Sequence, residues 1–272
     1  NRNTTITGKY SSTDYQGVIE MNNGNGGGLG IFGDTRFENI TFKHKGGDYD
    51  VLYCQYNSLE MGDSVIMQGY GNSPGYGTLD GANTMSFQVF GGINNDNRFS
   101  PLNTEALITA MEEAMPHGKE GFTMTFKSGH YSTICAGGRQ TKGELNGVMG
   151  TANMPVKCTI TMDIDREWND EHKSLNTQGQ YAHYDAGIIM AGNHEGAMFG
   201  DVDIIIKRGK VGRLVNGTLG AYRETNTTIN APYNTYMGRA SITLDPMKDE
   251  NGSPKHSDIV VTELYGGSCG RG

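Results

Sequence analysis

Two pairs of aspartates, each with one residue between its members, are the first groups in this chain that could do chemistry. Asp163 and Asp165 form one pair, and Asp201 and Asp203 form the other. Residues two apart on a strand share one face, so each pair can present two carboxylates together. Such a pair can supply the acid and base of glycosidic hydrolysis, or bind calcium. The other interpretation is a solvated acidic face with no catalytic role.

A polar loop at residues 164–185 adds further candidates beside the first pair. His183 and Asp185 are candidate acid or base groups. Aromatic rings among polar groups can stack on the face of a sugar while the polar groups bind its hydroxyls. The alternative for Trp168 is that its ring pins the loop against the body of the protein. The candidate ligand-binding residues in this loop and in loop 68–84 are Trp168, Tyr70, Tyr76, Tyr181 and Tyr184.

The charge and the remaining motifs exclude several classes of function. The net charge of −8 makes a nucleic-acid backbone an unfavourable partner. No cluster of histidine and cysteine has the spacing of a metal site, so we predict no metal and no cofactor, with calcium as the open alternative. The longest apolar run, around residues 188–191, is too short to span a membrane, and we predict no membrane insertion.

These residues must be positioned by a repeated architecture. Residues 126–137 align without a gap to residues 206–217, which lie 80 positions later, and a looser copy starts at Phe42. Each unit contains three short apolar segments that are typical of strands, and 41 glycines supply turns. Self-similarity at a long period predicts stacked units that bury a continuous interior.

We predict an all-β fold, a right-handed parallel β-helix, with a β-propeller as second choice. The chain is interpreted as one domain, 1–272, in which a partial unit (1–36) precedes three repeats of about 80 residues (37–119, 120–199 and 200–272). A short helix near 103–115 is expected to cover the solenoid. The polar loops 68–84, 164–185 and 246–257 occupy equivalent positions in the units and are expected to form a single rim.

The repeat also predicts roles for glycines and cysteines. Glycines that follow strands, such as Gly91 and Gly192, are expected to supply a positive φ for sharp bends. Cys54 and Cys135 fall at nearly equivalent repeat positions, which favours buried, inward-facing thiols over a disulfide.

The segments at 33–42 and 59–67, with the strand endings at 89–92, 135–138 and 264–267, resemble the glycine-rich β-helix repeats of bacterial cell-surface proteins, those of gut anaerobes most of all. The resemblance implies secreted or cell-surface display and contact with glycans or other surfaces. Pectinase-like hydrolases of this fold carry adjacent aspartates and a Gly-His-Gly motif, and this chain has neither.

The leading hypothesis is an extracellular module that acts as a structural stalk or as an adhesin with glycan contact on the loop rim. The alternative is a polysaccharide lyase or glycoside hydrolase with a cleft along the same rim. Expected partners are glycans or another copy of a larger surface protein. The first residue is Asn1, not an initiator methionine, and we expect the chain to be a piece of a longer polypeptide.

Overall fold

Almost all of the described regular structure is β-strand, as predicted, and the strands pair mainly in parallel. The one helix described is short: α1 (Arg166–Glu171). The computed structural model describes residues 3–10, 13–14, 16–21, 28–45, 50–68, 72–73, 84–85, 87–92, 120–138, 148–149, 155–172, 183–194, 197–218, 236–255 and 258–267. The predicted helix near 103–115 lies outside these ranges, as do Tyr70, Tyr76 and Tyr181.

The strands form three parallel sheets, which we call sheets A, B and C. Sheet A contains, in order, β1 (Thr4–Thr7), β6 (Thr35–Glu38), β9 (Leu59–Met61), β14 (Phe122–Phe126), β17 (Val156–Asp163), the first half of β19 (Ala197–Val215) and β20 (Tyr236–Leu244). Sheet B contains β4 (Gly17–Met21), β7 (Ile40–His44) and β10 (Val65–Gln68). Sheet C contains β5 (Leu29–Gly30), β8 (Asp50–Tyr53), β13 (Phe87–Phe90), β15 (Tyr131–Cys135), β18 (Ala186–Met190), the second half of β19 and β21 (Ile259–Tyr265).

The remaining strands are short additions to these sheets or hairpins beside them. β2 (Lys9–Tyr10) pairs antiparallel with β3 (Thr13–Asp14), and β11 (Asn72–Ser73) pairs antiparallel with β12 (Thr84–Met85). β16 (Val148–Met149) pairs in parallel with the start of β19. Sheets A and C are continuous with each other through β19.

The chain visits the sheets in cyclic order and so coils around a common interior. The first coils run from sheet A to sheet B to sheet C, and from β14 onward the long strands described pass from sheet A to sheet C. Successive strands within sheets A and C lie side by side in parallel register. The fold is therefore all-β, parallel and solenoid-like. Propeller blades are built from antiparallel strands, so the second fold prediction is wrong.

The 80-residue offset between residues 126–137 and 206–217 spans two coils. Phe126 on β14 pairs in register with Met162 on β17, and Met162 pairs in turn with Ile206 on β19. The first and second apolar segments of one predicted unit therefore lie on the same sheet in this part of the chain. The division of a single domain into three units of about 80 residues stays a prediction.

Two columns of apolar side chains fill the interior behind sheets A and C. The A column contains one residue from each successive coil of sheet A: Ile6, Phe37, Met61, Phe126, Met162, Ile206 and Leu244. The C column is its equivalent on sheet C: Leu29, Leu52, Val89, Ile134, Ile189, Leu214 and Leu264. The inner five members of each column are completely buried. Each coil thus relies on its neighbours to remove its apolar surface from water.

The outer face of sheet C is also buried, and it holds one of the cysteines. A second apolar cluster there includes Phe90, Cys135 and Val215. Cys54 and Cys135 are both free and buried, as predicted, and burial raises the pKa of each thiol far above its usual range. Cys54 lies in the main core, but Cys135 follows inward-facing Ile134 and so points to the opposite face. The predicted inward orientation is therefore wrong for Cys135.

Glycine is required at the corners where the chain passes from sheet A to sheet C. Gly129 and Gly209, which the 80-residue offset aligns, have φ values of 94° and 121°, a region that favours glycine. Gly91 and Gly192, for which a positive φ was predicted, do not have one, so the prediction is wrong at these positions. Gly91 allows close stacking instead, because a Cβ there would clash with the carbonyl oxygen of Ala136 in the next coil.

Candidate functional site

The described site residues of loop 164–185, which are Asp165, Trp168, His183, Tyr184 and Asp185, lie at a corner between sheets A and C. The loop begins after β17, contains α1 and ends at β18. Loops 68–84 and 246–257 also lead into strands of sheet C, β13 and β21. Most residues of loop 68–84 lie outside the described ranges, so the single rim stays a prediction.

Helix α1 carries one polar side chain into this corner. Asp165 caps the helix, because its carboxylate accepts hydrogen bonds from the backbone amides of Glu167 (3.1 Å) and Trp168 (3.2 Å). Asn169 is the buried residue of the helix and is only 1% exposed. The cap therefore fixes the start of the helix, and Asn169 anchors its other side.

Three buried side chains form the polar centre of the corner, and we call them the Asp185 cluster: Asn169, Asp185 and His130. The amide nitrogen of Asn169 donates to Asp185 Oδ1 (2.6 Å) and to the carbonyl oxygen of Gly129 (2.9 Å). Its Oδ1 accepts from the Gly129 amide (2.9 Å), and Asp185 Oδ2 accepts from the Lys210 amide (2.7 Å). His130 Nε2 lies 3.8 Å from Asp185 Oδ1. No member of the cluster is more than 6% exposed.

The Asp185 cluster joins three successive coils. Gly129 and His130 precede β15, Asp185 precedes β18, and Lys210 follows the corner inside β19. Backbone hydrogen bonds continue the same stack, from the Tyr131 amide to the Asp185 carbonyl (2.8 Å) and from the Asp185 amide to the Lys210 carbonyl (2.9 Å). Buried polar groups that are satisfied in this way hold the backbone in one arrangement.

Burial raises the pKa of Asp185 above its ordinary value, although hydrogen bonds from the Lys210 amide and Asn169 act in the opposite direction. The folded chain therefore binds this proton more tightly than the unfolded chain does. Stability from this group is fully present below the unfolded pKa, near 3.8, and is lost as the pH rises through the raised pKa of the folded state.

We expect the stability advantage of the wild type over Asp185→Asn to shrink as the pH rises from about 4 to about 7, because only the wild type carries the Asp185 carboxyl group that loses its proton. Urea unfolding of both proteins across this range measures the difference in free energy. Glu167→Gln, which removes an exposed carboxylate from the same corner, is the control. A gap that is constant or widens with pH would contradict the role given to burial.

A second group of side chains lies beside the cluster, and we call it the His183–Lys210 group: His183, which is exposed, Lys210, which is half-buried, and Tyr184, which is buried. The ammonium of Lys210 lies 3.2 Å from His183 Nε2 and 5.1 Å from the centre of the Tyr184 ring. The rings of His183 and Tyr184 meet edge to face at 4.7 Å. Partial burial, with the nearby charge of Lys210, lowers the pKa of His183. A neutral imidazole is then the acceptor for the lysine ammonium.

Trp168 packs against its own helix. Its ring stacks on that of His172 at 4.1 Å with an angle of 14° between the planes, and His172 Nδ1 lies 2.8 Å from the Trp168 carbonyl oxygen. One face of the indole is therefore occupied. The ring is partly exposed, so contact of Trp168 with a sugar stays a prediction.

The predicted aspartate pairs are held by arginines. Arg208 Nε lies 2.6 Å from Asp163 Oδ1, and its Nη1 lies 3.1 Å from Asp165 Oδ2. The second pair, Asp201 and Asp203, is joined in the same way by Arg239 on β20, at 2.8 Å and 3.0 Å. Hydrogen bonds from Arg239 and Ser241 lower the pKa of Asp203. Asp201 and Asp203 share one face of β19, as predicted, whereas Asp165 lies beyond the end of β17 and caps α1. Each pair is bound by one arginine of the next coil.

No family model, curated protein or solved structure matches this chain. Its function is therefore inferred from the residues themselves. Among the residues described, no three histidine, cysteine, aspartate or glutamate side chains are grouped so that they could hold a metal ion. The same residues include no helix long and apolar enough to cross a membrane.

Several residues of the corner were not singled out from the sequence. His130, Asn169 and Lys210 complete the two groups around Asp185, yet none belongs to a recognisable motif. One signal was available, since the 80-residue offset places His130 opposite Lys210. A second histidine–aspartate contact, partly buried, lies between His44 Nδ1 and Asp50 Oδ2 at 2.9 Å. It joins the end of β7 to the start of β8 and was also missed.

Proposed function

We propose that this chain is a right-handed parallel β-helix module of an extracellular or cell-surface bacterial protein, with a structural role and a glycan-contacting surface at the corner of α1. The parallel register of successive strands supports the β-helix. Its handedness is supported by a general rule, because crossovers between parallel strands of one sheet are right-handed in nearly all proteins. The surface location rests on the resemblance of the repeats to those of bacterial surface proteins.

The observation that carries a structural role is the pairing of the predicted carboxylates with arginines of the next coil. Asp163 and Asp165 bind Arg208, and Asp201 and Asp203 bind Arg239. Hydrogen bonds from Arg239 and Ser241 lower the pKa of Asp203, which makes it a poor general acid at neutral pH. These contacts tie neighbouring coils together, which is the role that a stalk requires.

A polysaccharide lyase or glycoside hydrolase is the weaker alternative. It would need two carboxylates, or a carboxylate and a base, open to one groove. Among the described residues of the corner, Asp185 and His130 are the carboxylate and imidazole that lie close together, at 3.8 Å. They are only 6% and 4% exposed. A substrate would have to reach them through the packed contacts of Asn169, so their geometry favours a positioning role.

The His183–Lys210 group supports glycan contact, and it favours acidic sugars. The Lys210 ammonium has no carboxylate partner among the residues that the structure describes, although the whole chain is acidic. A lysine ammonium beside an imidazole can bind a uronate carboxylate, while the partly exposed ring of Trp168 contacts the sugar face. Tyr184 is only 6% exposed, so its ring supports Lys210 from inside the fold. Trp168 and Asn169 are consecutive residues of α1, and Asn169 bonds to Asp185. Trp168 and the His183–Lys210 group therefore belong to the same corner.

Glycan-array binding of the wild type and Trp168→Ala tests this proposal. We expect the substitution to weaken binding about tenfold or more, equivalent to about 1.4 kcal/mol, because it removes the indole from the contact surface. The array should contain neutral and uronate-containing glycans, with stronger signals expected from the acidic ones.

Phe32→Ala is the matched control, since Phe32 is 89% exposed at a different corner, between β5 and β6. Equal losses for Trp168→Ala and Phe32→Ala would indicate non-specific adhesion of aromatic residues. If neither the wild type nor the variants bound any glycan, the contact surface would be wrong and the structural role would remain.

A further inference from the structure

Two side-chain nitrogens meet at the α1 corner without an anion between them. The Lys210 ammonium lies 3.2 Å from His183 Nε2, where His183 is exposed and Lys210 is half-buried. Among the residues that the structure describes, no carboxylate lies within ion-pair distance of either nitrogen. The pair is therefore a cation beside a base, on a chain whose net charge is −8.

The two side chains are positioned by the same tyrosine. The Lys210 ammonium lies 5.1 Å from the centre of the Tyr184 ring, and the His183 ring meets that ring edge to face at 4.7 Å. Tyr184 in turn accepts a hydrogen bond at its hydroxyl from Thr262 on β21 (3.3 Å), and the Lys210 amide donates to Asp185 (2.7 Å). A ligand that bridges the two nitrogens would therefore meet a pair that the fold has already brought together.

The acidic groups of the elements packed around the pair are engaged elsewhere. Asp163 and Asp165 bind Arg208, and Glu263 on β21 binds Arg213. Asp185 is buried with His130 in the Asp185 cluster. The other charged or titratable groups of these elements are at least partly exposed: Arg166, Glu167, Asp170, Glu171 and His172 at α1, Lys207 on β19 and Asp258 before β21. Lys210 is the charge that acts on the His183 imidazole.

This environment favours the neutral imidazole in the free protein. Partial burial, and then the charge of Lys210, lowers the pKa of His183 below its ordinary value near 6.5. Protonation of His183 would replace its hydrogen bond from Lys210 by two adjacent cations, which repel each other. A bound carboxylate reverses this balance, because it attracts both cations and accepts a hydrogen bond from each.

We propose that the α1 corner binds a glycan carboxylate together with one proton, which His183 takes up from solvent when the ligand binds. This inference rests on the acidic-glycan contact proposed above and adds its regulation by pH. In the complex the carboxylate accepts hydrogen bonds from protonated His183 and from Lys210, so the ligand replaces His183 as the acceptor for the lysine. The proton returns to solvent when the ligand leaves.

The uptake of a proton makes binding stronger in acid. Because the bound carboxylate raises the pKa of His183, the affinity is lowest above the pKa of the complex and increases as the pH falls toward the pKa of the free protein. Each unit between these two pKa values changes the affinity tenfold. The increase ends when the uronate itself becomes protonated, at about pH 3.5.

Isothermal titration calorimetry with a galacturonate hexamer tests the proposal. From about pH 7.5 to about pH 5 we expect the Kd of the wild type to fall about tenfold. Heats measured in two buffers of different ionisation enthalpy should show net proton uptake, a readout that needs no variant. His183→Gln should still bind, but with a Kd that no longer changes with pH. His172→Gln, at an exposed histidine of the same corner, is the matched control and should keep the tenfold change whatever its absolute affinity.

The outcomes separate this inference from the function on which it rests. A wild type that binds equally well across the range, or without proton uptake, would overturn the linkage and leave the glycan contact in place. No binding at any pH would overturn the contact surface, and the linkage with it. A pH dependence that survives in His183→Gln would show that another group, such as His172 or Asp185, takes up the proton. An equal pH dependence for a neutral glucose hexamer would also contradict the proposal, because that ligand has no carboxylate.

Discussion

Replacing Phe126 by alanine is expected to lower the free energy of unfolding by about 3–5 kcal/mol. Phe126 lies in the middle of the A column, is completely buried, and meets the Tyr131 ring edge to face at 4.9 Å. Its neighbours in the column, Met61 and Met162, belong to the coils on either side. The cavity would therefore weaken two coil-to-coil contacts at once.

The same substitution should also reduce the cooperativity of unfolding. Solenoid stability is approximately a sum of contacts between neighbouring repeats, so a defect in the middle can uncouple the two ends. Urea unfolding should then give a lower midpoint and a smaller dependence of free energy on urea, or two transitions. Phe32→Ala, at an 89% exposed phenylalanine, should change the free energy by no more than about 0.5 kcal/mol. Similar losses in both variants would contradict the stacked-column model.

The sequence predicts the strands well because their alternation is local. In Val156–Asp163, for example, the buried and partly buried residues alternate without exception, as the pattern of apolar and polar residues indicates. The parallel, coiled arrangement is also predictable, since short strands at long intervals cannot form simple hairpins. The sequence does not predict that the 80-residue offset spans two coils. Residues Cys158–Asp163 and Phe122–Phe126 both have an ordinary strand pattern, and only their register in the structure shows that they lie side by side on one sheet.

The candidate site was predicted less completely, because its partners are distant in the chain. The loop that holds Trp168, His183 and Asp185 was identified from its composition. Arg208 lies 45 positions from Asp163, however, and Arg239 lies 38 positions from Asp201. Those separations follow from the lengths of the coils, which vary with the inserted loops. The sequence therefore does not show whether an outward pair of aspartates has an arginine partner in the next coil.

Asn169→Ala is expected to lower the free energy of unfolding by about 2–4 kcal/mol, although it removes only one small side chain. Asn169 satisfies the amide and the carbonyl of Gly129 and one oxygen of Asp185, all in a buried corner. Alanine would leave these groups without that partner, and burial of an unsatisfied polar group costs more than the hydrogen bond itself contributes. Glu171→Ala, at an exposed position of the same helix, is the control and should have little effect.

The single tryptophan of the chain reports directly on this prediction, because Trp168 precedes Asn169 on α1. If Asn169 anchors the helix, its loss should shift the emission of Trp168 to longer wavelengths under native conditions, while the strand signal in circular dichroism persists. Unchanged emission together with unchanged stability would contradict the anchoring role. A shift accompanied by loss of glycan binding would support the proposed contact surface, because Asn169 positions the helix that carries Trp168.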